Sequence, residues 1–181
     1  GNGGLDTGAV GNSDYYIWAI KRVDTQITDI LYSLSSTAPT MPANYTLKRL
    51  VGWFKRVGGM IVAFHTYETE GGGIEMKWNA PTLDVSVANT LTTARRTDAV
   101  KVPLNFSTIA WLRIGLDDAA SSFSAVICCP DETDAAPATN AAPGATVFQT
   151  ATLGAGSGFY ELRVRTSATG TIAARASLAT V

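Results

Sequence analysis

Short apolar runs, most of them alternating with polar residues, recur along this chain between clusters of Gly, Pro, Ser, Asn and Asp. Residues 14–23 (DYYIWAIKRV) are aromatic and β-branched and apolar on both faces until Lys21, the pattern of a buried strand. The next segment, ITDILYSL over 27–34, fits two periods. Ile27, Ile30, Leu31 and Leu34 make a helical stripe, while Thr28, Ile30, Tyr32 and Leu34 make one face of a strand. Its shortness, its β-branched content and the turn signals on either side favour the strand.

Residues 35–44 (SSTAPTMPAN) exclude a regular element, because Pro39 and Pro42 lack backbone donors and push their predecessors to extended geometry. We read them as an extended crossing between two sheets or along the edge of one. Residues 45–57 follow as a long strand that starts at Tyr45. Strict alternation puts Leu47, Arg49, Val51, Trp53 and Lys55 on one face and Lys48, Leu50, Phe54 and Arg56 on the other, with Gly52 marking a bulge or bend. Gly58-Gly59 predicts a two-residue hairpin turn into a partner strand, MIVAFHTY. After a turn over 68–73, IEMKW sets Ile74, Met76 and Trp78 against Glu75 and Lys77.

Residues 82–90 alternate through Leu83, Val85 and Val87, and 95–98 read as a polar link. Val100, Val102 and Leu104 follow. Residues 107–116 (STIAWLRIGL) are a candidate central strand, 117–120 a turn, and 121–129 a return strand with Phe123, Ala125, Ile127 and Cys129 on one face. Residues 130–144 form the longest loop. Residues 158–165 alternate most clearly, with Tyr160, Leu162 and Val164 inward and Glu161, Arg163 and Arg165 outward. A turn over 167–170 leads to the last strand, TIAARAS. About ten strands with no firm helix and no solenoid repeat predict an all-β fold, an antiparallel β-sandwich or jelly-roll-like single domain over 14–181. The Gly/Asn/Ser-rich residues 1–13 are then a lead-in segment or linker.

Composition narrows the picture. At 181 residues the chain can bury a core without disulfides or metals. Charged residues are only 16%, so either the core is large or a partner covers apolar surface. Fourteen basic against fifteen acidic residues leave no net field to steer nucleic acid or an anionic membrane. No apolar stretch approaches a membrane-spanning length. The opening, GNGGLDTGAVGNS, has no initiator Met and no signal-peptide pattern, which leads to the expectation of a fragment or a processed chain. Cys128 and Cys129 are adjacent and on a strand point to opposite faces, so they read as free thiols of a protein assembled in a reducing cytoplasm, with a vicinal disulfide or an intermolecular link as the alternative.

Candidate chemistry is sparse. His65 has no Cys or second His at ligand spacing, and no G-x-S-x-G motif supports a nucleophile. Gly71-Gly72-Gly73 lacks the continuation of a phosphate loop, and Gly156-Ser157-Gly158 reads as a flexible turn. Carboxylates fall in turns at Glu68 and Glu70, at Asp117 and Asp118, and at Asp131, Glu132 and Asp134. Glycoside hydrolysis needs two of them roughly 5–10 Å apart, and a calcium loop over 131–134 lacks EF-hand spacing. No catalytic residue, metal or cofactor is assigned. Trp18, Trp53, Trp78 and Trp111 all fall within strands, as core or subunit-interface residues. Tyr67 and Trp78 are the candidates for stacking on a sugar. Asp6 reads as a side-chain cap of the turn that follows it.

One resemblance stands out. The Gly3-Gly4-Leu5-Asp6-Thr7-Gly8 opening, the aromatic strand DYYIWAI, the segment DILYSLSSTAPTMPANYTLKRLVGWF and the Gly-Gly hairpin come in the order of a module found in tailed-bacteriophage and prophage virion proteins of tail-fibre or head-fibre type. The pattern Ser-Ala-Thr-Ala-Pro-Thr-x-Pro-x-x-Tyr falls here on Ser35, Ser36, Thr37, Ala38, Pro39, Thr40, Pro42 and Tyr45, with Thr46, Gly52 and Trp53 beyond it. Gly4, Leu5, Asp6, Gly8, Pro39, Pro42, Tyr45, Gly52 and Trp53 are the architectural positions. Asn44 stands where the pattern usually has Gly, a replacement that tolerates a left-handed turn. The likeness is strongest over 3–67, and the close, ELRVRTSATGTIAARAS, looks like the module's ending. It implies a non-enzymatic virion structural protein, assembled in the bacterial host cytoplasm. Its partners would be copies of itself (a trimer for choice), other virion proteins and a host-surface glycan or protein, with no nucleic acid and no membrane insertion. A carbohydrate-binding module is the alternative function, and a glycan-depolymerising enzyme the more remote one.

Overall fold

A computed structural model of the chain describes residues 4–86, 91–118, 124–137, 147–149 and 156–177, with backbone alone at 116–118, 147–149 and 156–158. All the secondary structure described is β, in antiparallel ladders, as the alternating pattern predicts. The chain groups into two compact units, residues 1–82 and 83–181. Each described ladder joins strands of the same unit.

In the first unit, β1 (Asp14–Lys21) lies between β2 (Thr28–Ser33) and β3 (Leu47–Val57), and β4 (Met60–Ile61) adds a short outer strand. Segment 27–34 is therefore the strand, and 35–44 holds no helix or strand. Residues opposite one another in such a ladder share a face. Tyr16, Trp18 and Ile20 of β1 share theirs with Leu31 and Ser33 of β2 and Trp53 of β3, and all six are buried. The reverse face carries a second aromatic group. Tyr15 stacks on Phe54 at 5.3 Å between ring centroids, and Tyr32 meets Phe54 edge-on at 5.5 Å.

Strict alternation fails in β3. Ile17 pairs with Gly52 but Trp18 pairs with Leu50, so Val51 is an extra residue, a β-bulge. The bulge inverts the phase. Leu50 shares the face of Trp53, while Leu47 and Arg49 share the face of Phe54, opposite to the reading from alternation alone. Gly58 and Gly59 both have positive φ, 60° and 82°, as the hairpin turn into β4 requires.

The strand expected over 60–67 is divided. Met60 and Ile61 pair with β3, whereas β5 (Phe64–Glu68) pairs with β6 (Ile74–Trp78) in a separate hairpin. The break lets Trp78 meet Trp53 edge-on at 5.6 Å and Phe64 at 6.4 Å, contacts a continuous ladder on β3 would not bring about.

In the β1–β2 turn Arg22 forks onto Asp24, Nε to Oδ1 at 3.0 Å and Nη2 to Oδ2 at 2.6 Å. This hydrogen bonding holds the Asp24 carboxyl down at about 2. The stabilisation from the pair is thus complete above the ordinary carboxylate pKa and is lost as pH falls through about 2. A carboxyl-carbon NMR titration should give that low midpoint, and Arg22→Ala should return it to roughly 3.9.

In the second unit, β7 (Arg96–Ala99), β9 (Ser124–Cys128), β10 (Val147–Gln149) and β12 (Thr171–Ala176) form one sheet in the order β10-β9-β12-β7. β8 (Ile109–Asp118) and β11 (Gly156–Arg165) form a two-stranded ribbon. Val164 on the ribbon, with Leu112, Ile114, Tyr160 and Leu162, packs against Ala125, Ile127, Ile172, Ala174 and Ala176 of the sheet.

Several sequence readings change here. The polar link 95–98 overlaps β7, where Arg96 and Asp98, two apart and so on one face, pair at 2.8 Å. Charged side chains suit a strand at the sheet margin. The candidate central strand, β8, is laddered to β11 alone among the described strands. Asp117-Asp118 and Gly156-Ser157-Gly158 are not turns but ladder partners of that ribbon. Residues 82–86 form no strand. Leu83 is 79% exposed, and Asp84 is drawn instead to Lys101, accepting its backbone N–H at 2.9 Å and pairing with Nζ at 3.4 Å. Val87, Phe123 and residues 138–144 of the 130–144 loop lie outside the described residues.

The turn before β12 depends on Gly170. Its φ is +72°, and an added Cβ would lie 2.7 Å from Leu104 Cδ2 and 3.4 Å from Val102 Cγ2. Gly170→Ala should therefore cost about 2 kcal/mol, read as a lower urea midpoint at unchanged slope.

Candidate functional site

The residues that carry the resemblance meet around Asp6. Leu5 bridges Tyr32 in parallel, with Asp6 N–H donating to the Tyr32 carbonyl at 2.8 Å and Tyr32 N–H to the Gly4 carbonyl at 2.9 Å. Asp6 Oδ2 accepts from Ser33 Oγ at 2.7 Å and from Thr40 N–H at 2.9 Å, while Oδ1 accepts from Thr7 N–H at 2.8 Å. The opening motif, the end of β2 and the proline-punctuated crossing are thus tied by one carboxylate. Trp18 Nε1 donates to the Ser35 carbonyl at 3.1 Å and holds the start of the crossing on the buried face. Asn44 has φ +69° in the turn that closes with Tyr45 N–H on the Pro42 carbonyl. Of the lead-in residues, Asn12 Oδ1 accepts from Gly59 N–H at 2.9 Å, and Arg56 donates to the Gly11 carbonyl at 3.1 Å.

Tyr67 and Trp78 do not form one platform. In the β5–β6 ladder Tyr67 lies opposite Glu75 and Trp78 opposite Phe64, which puts them on opposite faces of the hairpin. Tyr67 is half exposed and borders an open depression of about 330 Å³ with Thr66, Glu68, Gly72 and Ile74. Trp78 is partly buried between Trp53 and Phe64. His65 Nε2 donates to Asn79 Oδ1 at 2.7 Å.

The acidic loop 131–134 is held by arginines. Arg165 lies 3.9 Å from Asp131 Oδ2 and 3.7 Å from Glu132 Oε1, and Arg175 donates to Asp134 Oδ2 at 2.8 Å. Arg95 donates to the backbone carbonyls of Cys129, at 2.8 Å, and Glu132, at 2.9 Å. Arginines thus pair with all three carboxylates, and among the described residues no group of His, Cys, Asp or Glu is arranged to hold a metal. Cys128 and Cys129 are buried free thiols, and burial pushes the Cys129 thiol above its ordinary pKa.

The surface with the most recognition chemistry is one the aromatic candidates did not include. Trp18 and Trp53 are buried, but Trp111 on β8 is 55% exposed, on the outer face of the ribbon. Arg163, directly opposite on β11, places its guanidinium 4.6 Å from the indole centroid. Phe159 lies on the same face opposite Gly115 and is 74% exposed. The signal was present in STIAWLRIGL. Arg113 stands two residues from Trp111, which marks that face as the outer one, while Ala110, Leu112 and Ile114 carry the inner one.

No protein-family model matches the chain, and neither does any curated protein or solved structure. The class of protein therefore rests on fold and surface, an all-β antiparallel protein with an exposed aromatic and arginine face.

Proposed function

We propose that the chain is a non-enzymatic structural module of a phage virion, of tail-fibre or head-fibre type, that acts in assembly and in attachment to the host surface. The observation that supports it best is the closure at Asp6. The two segments that carry the resemblance, GGLDTG and SSTAPTMP, are joined there by a single carboxylate, as expected if those residues identify an architecture. On this reading the complete fold is of β-sandwich or jelly-roll type, and copies associate as a trimer through apolar surface such as Met60 and Ile61, both well exposed. Immunogold labelling with an antibody to the chain should decorate particles, and sedimentation equilibrium at micromolar concentration should give three times the chain mass. Unlabelled particles would overturn the virion assignment, and a monomer would overturn the trimer. The second reading, a carbohydrate-binding module, is favoured by exposed Trp111.

A further inference from the structure

The first unit carries two charged surfaces that its other described residues leave unanswered. One is on the reverse face of the β2-β1-β3 sheet, at the end away from Tyr15 and Phe54. Ladder partners put Ala19 and Lys21 of β1 on that face beside Thr28 and Ile30 of β2 and Leu47 and Arg49 of β3. Most of them border an open depression of about 200 Å³, where Leu47 is 53% exposed. Neither Lys21 nor Arg49 forms an ion pair among the described residues. The other surface is the tip of the β5–β6 hairpin, where Glu68, Glu70 and Glu75 stand beside Tyr67 and Ile74. Ile74 is 72% exposed, and none of the three carboxylates forms an ion pair among the described residues. The two surfaces belong to opposite sides of the sheet. Trp78 sets the base of the hairpin against Trp53, which lies on the buried face with Tyr16 and Trp18, whereas Lys21 and Arg49 lie on the reverse face. The tip is four residues further along the hairpin, roughly 13 Å from that anchor. One copy therefore does not bring its own tip to its own sheet face.

We infer that the hairpin tip of one copy docks on the reverse sheet face of a second copy. Lys21 and Arg49 take carboxylates of the tip, and Ile74 enters the depression beside Leu47. Charge and apolar content select this occupant. The sheet face offers two unpaired cations around aliphatic side chains, and the tip offers three unpaired carboxylates around Ile74 and Tyr67, so each supplies what the other lacks. A two-fold axis that set tip on tip or face on face would oppose like charges, so the contact joins two different patches. Such a head-to-tail contact closes into a ring when its rotation allows, and a trimer is a ring of this kind. The inference names the contact behind the proposed trimer and rests on that reading.

Sedimentation equilibrium of the intact chain at micromolar concentration tests it. The chain is expected to associate, and to do so more weakly as NaCl is raised. Two charge-reversed variants follow, Lys21→Glu with Arg49→Glu on the sheet face and Glu68→Lys with Glu70→Lys on the tip. Each should weaken association about tenfold or more while keeping the circular dichroism of the unaltered chain, and combining all four substitutions should restore it. Ile74→Ser, at an exposed position, should weaken association with no change of charge. A monomeric unaltered chain would overturn this inference together with the trimer. A trimer that the face variant, the tip variant or Ile74→Ser leaves intact would overturn the inference alone. So would association that is lost in both charge-reversed variants and not regained in their combination, since tip and face would then not meet. The immunogold result does not depend on any of these outcomes.

Discussion

Trp53→Ala should destabilise the first unit by about 3–5 kcal/mol, the range for removing a buried aromatic side chain from a core. Trp53 is 7% exposed, lies opposite Tyr16 in the β1–β3 ladder, and meets Trp78 edge-on. Its removal opens a cavity on the buried face and takes away the ring against which the β5–β6 hairpin is set. Urea unfolding should show the loss as a lower midpoint, with early loss of amide protection in β5 and β6. Trp53→Phe should lose less, for a specific reason. Trp53 Nε1 is buried with no hydrogen-bond partner among the described residues, so phenylalanine removes an unsatisfied donor along with the lost volume. Equal losses for the two variants would show that the hairpin does not depend on a ring at this position.

Asp6→Ala should cost about 2–4 kcal/mol, since three donors lose one charged acceptor and one of them, the Ser33 hydroxyl, is buried. Ser33→Ala should cost less, because it removes a donor and leaves Asp6 bound to Thr40 and Thr7. Hydrogen exchange separates this from a general loss of stability. In Asp6→Ala the Thr40 amide should exchange faster by a larger factor than the amides of β1, which are bonded on both sides. Uniform acceleration would mean that Asp6 does not hold the crossing in place.

These two side chains show how much of the molecule was legible in the sequence. That Trp53 is buried is the ordinary expectation for a large aromatic side chain within a strand. That it shares a face with Leu50 does not, because the bulge at Val51 shifts the phase, and Gly52 signals an irregularity without saying which residue is the extra one. Asp6 reads locally as a turn cap, and its Oδ1 does accept from Thr7. Its bonds to Ser33 and Thr40 span 27 and 34 residues and have no local signature. The acidic loop looked like a candidate for chemistry because its carboxylates are adjacent in sequence, while the arginines that hold it come from β11, β12 and residue 95.

Local sequence was enough for the all-β class, the strands from β1 to β3, the Gly58-Gly59 turn, the irregular crossing and the in-out alternation of β11. All of these follow from side-chain period and from backbone restrictions at Pro and Gly, which act over a few residues. Long-range pairing set the rest: β8 is laddered to β11, β7 joins a sheet, β5 leaves β3 for its own hairpin, and Trp111 faces water while Trp53 does not. Those outcomes depend on which distant strand supplies the hydrogen bonds and covers each face, and a period of two residues is the same whichever strand does so.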